Sequence, residues 1–162
     1  VVSDPDQRAA LAAIYRRVFD AAFDGYIDTL TRSLPATDRR SGQLPRVVDS
    51  ARSLADHLHE VPVHVVPVVE GRVEQAGVVA QASTYGSILP AAWSFMLALR
   101  ARGLGSAWTT LHLVHEADAA KVLGIPDGYT QTALLPVAYF TGKDFRPAHR
   151  LDAGQHIHMN RW

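Results

Sequence analysis

No cysteine occurs anywhere in the 162 residues, so disulfides, thiolate metal sites and cysteine nucleophiles are excluded. An excess of charge is missing too: 16 Lys and Arg balance 16 Asp and Glu. A chain with neither net charge nor a basic run lacks the electrostatic footprint for nucleic acid or an anionic membrane surface. No apolar stretch reaches the roughly 20 residues that span a bilayer, and no secretory leader is visible. These absences fit a cytoplasmic protein. Two catalytic signatures are missing as well. There is no G-x-S-x-G, hence no serine-hydrolase elbow. Gly103-Leu104-Gly105-Ser106 lacks the third glycine of a dinucleotide fingerprint and follows a helix, not a strand. Spacing alone makes that glycine pair a helix stop.

What the chain does have is apolar surface, 48% hydrophobic residues against 20% charged. That is enough to build a sizeable core in a single domain spanning 1–162. The densest stretch is Ile88 to Leu99, where Ser94 is the only polar residue and Pro90 the only strong helix breaker. Such a helix, apolar on nearly every side, is expected to be buried on nearly every side. Arg100, Arg102 and Gly103 then supply the cations and the left-handed residue that close a helix. Ser106 to Leu111 is rich in β-branched and aromatic residues and predicts a short strand.

The remaining elements follow in order. Val1-Val2 resembles the end of a strand entered part-way. Asp4 as cap, Pro5 at the first helical position and Gln7 as capping-box partner predict a helix start. Leu11, Ile14, Tyr15, Val18, Phe19 and Ala22 continue it at helical spacing, with a falter expected at Gly25. Residues 34–45 are polar and contain two prolines and a glycine, which predicts a mobile connector or lid. A second helix with Val47, Ala51, Leu54 and Leu58 on one face ends near Glu60. Val61 to Val69 then reads as a buried strand, demoted by its two prolines to a sheet edge or a bulge. Gly77 to Gly86 is a small-residue lead into the central helix. Glu116 to Leu123 predicts a short helix closed by Gly124 and Pro126, and Thr130 to Thr141 a long buried strand. The tail, 142–162, is polar and without a clear helix. Helices interleaved with about four strands give an α/β or α+β fold with the sheet between helices.

Eight histidines raise the question of a metal. His57 and His59 are two apart on a helix and point in different directions. His112-x-x-His115 straddles a strand end without the glutamate of a zinc protease. His156-x-His158 has no further ligand nearby in sequence. Ordinary packing and surface histidines are the simpler reading.

LALRARGLGSAWTTLHL, then VLGIPDGY, then LLPVAYFTGKDFRPAHRL resemble, in that order, the nitroreductase family of flavoproteins, and most of all its actinobacterial GLGS-x-WTTLHL members. The resemblance implies an α+β, α-β-α sandwich in which two protomers interlock as a homodimer with FMN at their interface. It implies ping-pong chemistry, NAD(P)H reducing the flavin and a nitroaromatic, quinone or related conjugated acceptor reoxidising it. The flavin carries that chemistry, so no catalytic side chain is needed. By alignment with the family, Trp108, Thr109, Thr110 and Leu111 fall where backbone lies against the flavin ring, and Arg150, with His149 beside it, where a basic residue meets the FMN phosphate. Ala148 sits where many relatives carry lysine. The resemblance also places the tail on the partner subunit.

Family members open with an Arg-Ser-x-Arg helix and a Pro-Ser/Thr-x-x-Asn-x-Gln loop, and neither occurs in this sequence. The match joins the family pattern mid-strand, which implies an upstream segment. Three readings follow: an FMN-dependent NAD(P)H oxidoreductase, a flavin-poor binding protein or pseudoenzyme on the same fold, and another flavin reaction such as dehalogenation or flavin destruction.

Overall fold

The computed structural model describes residues 1–35, 37–142, 145 and 147–162. Position 36 of the predicted connector and positions 143, 144 and 146 of the predicted tail lie outside the described residues.

The core gathers on the first helix, α1 (Pro5–Ser33). Asp4 is its N-cap, accepting from the Gln7 amide at 2.9 Å, and Pro5 opens the first turn. The Gln7 side chain does not reach back to complete a capping box. It donates instead to the Val122 carbonyl at 3.2 Å, 115 residues away in sequence. Gly25 does not interrupt the helix either. One glycine costs about 1 kcal/mol, less than a stripe of buried side chains returns. Of the expected stripe, Leu11, Ile14, Tyr15, Val18 and Phe19 are buried, while Ala22 is exposed.

Ser41–Gln43 forms a 3₁₀ turn that leads directly into α2 (Leu44–His57), so the last residues of the 34–45 segment are helical. A further turn, Leu58–Glu60, buries Leu58 against α1. α4 (Glu116–Leu123) has the bounds the sequence predicts, and Gly124 closes it at φ 64°, the left-handed geometry that suits glycine.

The two long apolar runs do not form one strand each. Val61–Val69 becomes β1 (Val63–Val65) and β2 (Val68–Glu70). Thr130–Thr141 becomes β4 (Tyr129–Gln131) and β5 (Leu135–Tyr139). β1 pairs with β5 antiparallel, Val65 opposite Leu135, and β2 with β4, Val68 opposite Gln131. Between those pairs two residues, 66–67, face three, 132–134. That is a β-bulge, and it divides one ribbon into two sheets. Pro67 explains its place. It has no N–H to give, and its carbonyl takes both the amide and the hydroxyl of Thr132, each at 3.1 Å.

β3 (Leu104–Ser106) lies on the other side of β5, giving the order β1-β5-β3. Val2 bridges the outer side of β1, exchanging both backbone bonds with His64 at 2.7 and 2.9 Å. His64 thereby spends its amide and carbonyl on Val2. Pro136, directly opposite it on β5, is not asked for a donor there. The strand expected over Ser106–Leu111 is placed earlier, and Leu111–His115 is a 3₁₀ turn.

The largest correction concerns the Ile88–Leu99 run. It belongs to α3 (Val78–Ala101), so the small-residue lead-in is already helix. Pro90 sits inside without ending it. Only Ala92 and Leu99 of this helix are buried, while Trp93 is 57% and Leu97 54% exposed. One chain of this size spends its other elements on α1 and the sheets. The centre of the fold is α1, not α3.

Candidate functional site

Three segments distant in sequence meet at an open cleft of about 860 Å³. α2 supplies one wall through Arg46, Val47, Ser50, Ala51 and Leu54. Ala107–Thr109, just past β3, forms the floor, and Pro147–His149 a second wall. Tyr15 of α1 closes the back.

The β3–β5 pairing, carried on past Ser106, sets the floor. Thr109 exchanges backbone bonds with Leu134, at 3.1 and 2.8 Å, and its hydroxyl donates to the same carbonyl at 2.8 Å. Leu135 and Val137 turn their backbone groups to β1, so Leu134 faces the β3 side, and Thr109 opposite Leu134 keeps the register of Ser106 opposite Val137. Thr109 is therefore fully committed within the chain, and its amide is not free for a ligand. The Trp108 amide makes no backbone hydrogen bond among the described residues, and the Trp108 side chain is 37% exposed. Gly105 allows β3 to lie close beside Phe140. A Cβ there would come within 3.3 Å of the Phe140 ring.

Gln43, at the cap of α2, holds the third segment. Its side-chain carbonyl accepts from the His149 amide at 3.0 Å, with a weaker return contact to the His149 carbonyl at 3.5 Å. This link spans 106 residues.

The sequence-predicted residues divide between two places. Trp108, Thr109 and His149 line the cleft, and Arg150 is the exposed residue that follows His149. Thr110 and Leu111 face a second, adjoining cleft of about 430 Å³, mostly formed by α1. Tyr15 and Ala51 are common to both. Sequence reasoning missed Arg46, a cation on the wall of the first cleft that makes no ion pair among the described residues. The one signal for it was its place next to Val47 at the start of the α2 stripe.

Beneath this region lies His112, fully buried, with neither ring nitrogen hydrogen-bonded among the described residues. Burial pushes its pKa down to about 4, with Glu116 pulling weakly the other way. The ring is neutral near pH 7. Among the described residues no group of three or more His, Asp or Glu is arranged to hold a metal ion.

The Nitroreductase family model matches residues 1–139, and the chain belongs to that family. The Pro147–His149 wall and Arg150 lie beyond the matched residues. Three solved structures share the fold. Iodotyrosine deiodinase bound to FMN and 3-iodo-L-tyrosine aligns at TM-score 0.61 and 19% identity, over 99% of this chain and 74% of that one. A nitroreductase-like family protein from Bacillus cereus aligns at 0.55 and 16%, over 82% and 65%. A protein of Parabacteroides distasonis assigned as an NADH dehydrogenase or NAD(P)H nitroreductase aligns at 0.52 and 22%, over 99% and 70%. At these identities the likeness is one of fold, α+β and nitroreductase-like. No curated protein matches the sequence. Among the described residues no helix is long and apolar enough to cross a membrane.

Proposed function

We propose that the chain is an FMN-dependent NAD(P)H oxidoreductase acting on a small conjugated acceptor, with the flavin in the cleft between α2, Trp108–Thr109 and Pro147–His149. The observation that carries this reading is the cleft itself, assembled from three remote segments and mixed in character. Its lining fits the group. Val47 and Leu54 offer an apolar wall to a ring, the Trp108 amide a donor to a ring edge, and Arg46 a cation to a phosphate, with Arg150 the exposed cation next to the lining residue His149. That a protein of the same fold is known with FMN and an aromatic amino acid bound together supports the cofactor.

When bound, FMN supplies the electron and hydride chemistry between NAD(P)H and a nitroaromatic or quinone. The residues of this chain bind and orient it. The Trp108 amide would be the donor to the ring, and Thr109 fixes that amide by its own bonds to Leu134. Thr110 and Leu111 line the adjoining cleft. His149, held by Gln43, positions Arg150 for the phosphate. The cytoplasm, where NAD(P)H is maintained in a reducing setting, is the compartment this reading implies.

Titration with FMN tests it, followed by the visible spectrum of the dialysed protein. Retained flavin bands support the reading; a colourless protein that takes up no FMN favours a flavin-free binding role. Arg150→Ala removes a charge-assisted contact of about 1.5–3 kcal/mol, roughly ten- to a hundredfold in affinity. The variant is expected to lose FMN on dialysis while keeping its fold. Retention equal to the parent would leave Arg150 a tail residue without this role.

We further propose that the working form is a homodimer built on α3. Trp93, Phe95 and Leu97 lie exposed along it, and Ile157, Met159 and Trp162 along the tail. An isologous contact would cover the same patch on both copies. Light scattering across a dilution series is expected to show a dimer into the low micromolar range. A stable folded monomer at that concentration would refute it.

A further inference from the structure

The Pro147–His149 wall of the first cleft belongs to no helix or strand, and every residue from 147 to 152 is exposed. Its own packing does not hold it in place. Among the described residues, the only hydrogen bonds made by residues 147–151 are the two between His149 and Gln43. A chain tied at one point still pivots about it. A second tie lies at the end of α3.

Phe145 stands two positions before Pro147 and four before His149. Its ring meets that of Phe140 edge to face, with centroids 5.1 Å apart and planes at 87°. The Arg100 guanidinium, in the last turn of α3, serves both rings, 4.3 Å from the Phe145 centroid and 4.4 Å from that of Phe140. Phe140 is fixed in turn, since it follows β5 directly and packs on Gly105 of β3. Phe145 comes back over Gly142, where a Cβ would stand 3.6 Å from its ring. An extended chain covers at most about 3.6 Å per residue, so a fixed Phe145 keeps Pro147 within roughly 7 Å. With His149 tied to Gln43, the wall is strung between two anchors.

We propose that Arg100 is a positioning residue for the first cleft, pinning Phe145 and through it holding Pro147–His149 in place beside α2. Neither Arg100 nor Phe145 lines that cleft, so the effect on it is indirect. The proposal rests on the flavin reading for what the wall holds, and deepens it by naming what sets the wall. A cation over aromatic faces is attracted by their quadrupoles, and the same charge is favoured at the end of a helix. The two roles separate by experiment, because only the first needs Phe145.

Hydrogen exchange of the His149 amide, followed by NMR in the absence of flavin, reports opening of the wall. The parent is expected to protect that amide. Arg100→Met keeps the length of the side chain and loses its charge, and is expected to speed exchange roughly two- to fivefold, the worth of one exposed cation–π contact. Arg100→Lys, which keeps a cation, is expected to restore most of the protection. Phe145→Leu is expected to speed exchange at least as much as Arg100→Met, and adding Arg100→Met to it to change nothing further. Both residues are exposed, so the fold is expected to stand in each variant. An Arg100 that serves only the end of α3 would add its effect to that of Phe145→Leu, and that result overturns the proposal. So does unchanged exchange in Arg100→Met, or a parent whose His149 amide exchanges at the free-chain rate. FMN affinity, titrated on the same variants, is expected to fall in Arg100→Met by up to the same factor; an unchanged affinity beside quickened exchange also overturns it. A parent that takes up no FMN while the exchange pattern holds would refute the flavin reading and leave Arg100 as the residue that sets this wall. FMN bound by the parent, with exchange indifferent to Arg100→Met, would do the reverse.

Discussion

Leu134→Ala is expected to destabilise the protein by about 2–5 kcal/mol, the range for deleting a fully buried leucine side chain. Leu134 has no exposed surface and packs in the same cluster as Leu11, Ile14 and Phe19 of α1. Its backbone bonds with Thr109 survive the change, so the loss comes from the side chain and the cavity left behind. The cavity opens directly under the Ala107–Thr109 floor. Urea unfolding followed by circular dichroism measures the effect as a lower midpoint with an unchanged slope. A midpoint equal to the parent's would mean that α1 and the bulge do not share one core.

The second large effect is with acid. In the folded protein His112 titrates at about 4, well below the ordinary value of about 6.5. Between those values the unfolded chain binds a proton that the folded one refuses. Stability is therefore complete above the unfolded pKa and falls as pH drops from about 6.5 toward 4. At about 1.4 kcal/mol for each pH unit separating the folded and unfolded values, the loss comes to roughly 3 kcal/mol. Burial lowers the pKa of His64 too, which adds in the same direction. The carboxylates whose pKa is depressed, Asp38, Asp118, Glu74 and Glu116, lose their contribution only below their own unfolded values of about 4. Unfolding measured between about pH 7 and 5 thus isolates the histidines. His112→Leu removes two buried nitrogens that have no partner. It is expected to stabilise the protein at pH 7 by about 1–3 kcal/mol and to flatten the acid slope. An unchanged slope in the variant would assign the loss elsewhere.

The parts of this structure legible in the sequence are those whose cause is local. Glu116–Leu123 is readable because its stop, Gly124, needs only its own backbone geometry. Asp4-Pro5 is readable because a cap is satisfied within a turn. The β-bulge is half-readable: Pro67 announces an irregularity, but its register depends on how many residues stand opposite, which only pairing determines. Within the single chain α3 is left largely uncovered, against expectation, for a physical reason. Apolar composition all round says that a helix needs cover, not what supplies it, and within one chain the α1 stripe takes the surface on offer. His112 is invisible as an unpaired group, since a missing partner is a property of the packing. Of the candidate site, Trp108, Thr109 and His149 do meet in one cleft. Thr110 and Leu111 turn the other way because the chain tightens into a 3₁₀ turn at Leu111. Arg46 carries no motif and can be found only in space.

The Thr109–Leu134 bridge also separates what keeps the fold from what keeps the site. Two residues, 107 and 108, stand between Ser106 and Thr109, matching the two, 135 and 136, between Leu134 and Val137. Deleting one residue at 107 or 108 would leave Leu104–Ser106 paired with β5 and put Thr109 one step out of register with Leu134. The loss of a single codon there, with the reading frame intact, would turn a member of this family into a folded protein with a displaced floor to its cleft. Such a change is a short evolutionary route from a cofactor-holding ancestor to a relative that keeps only the scaffold.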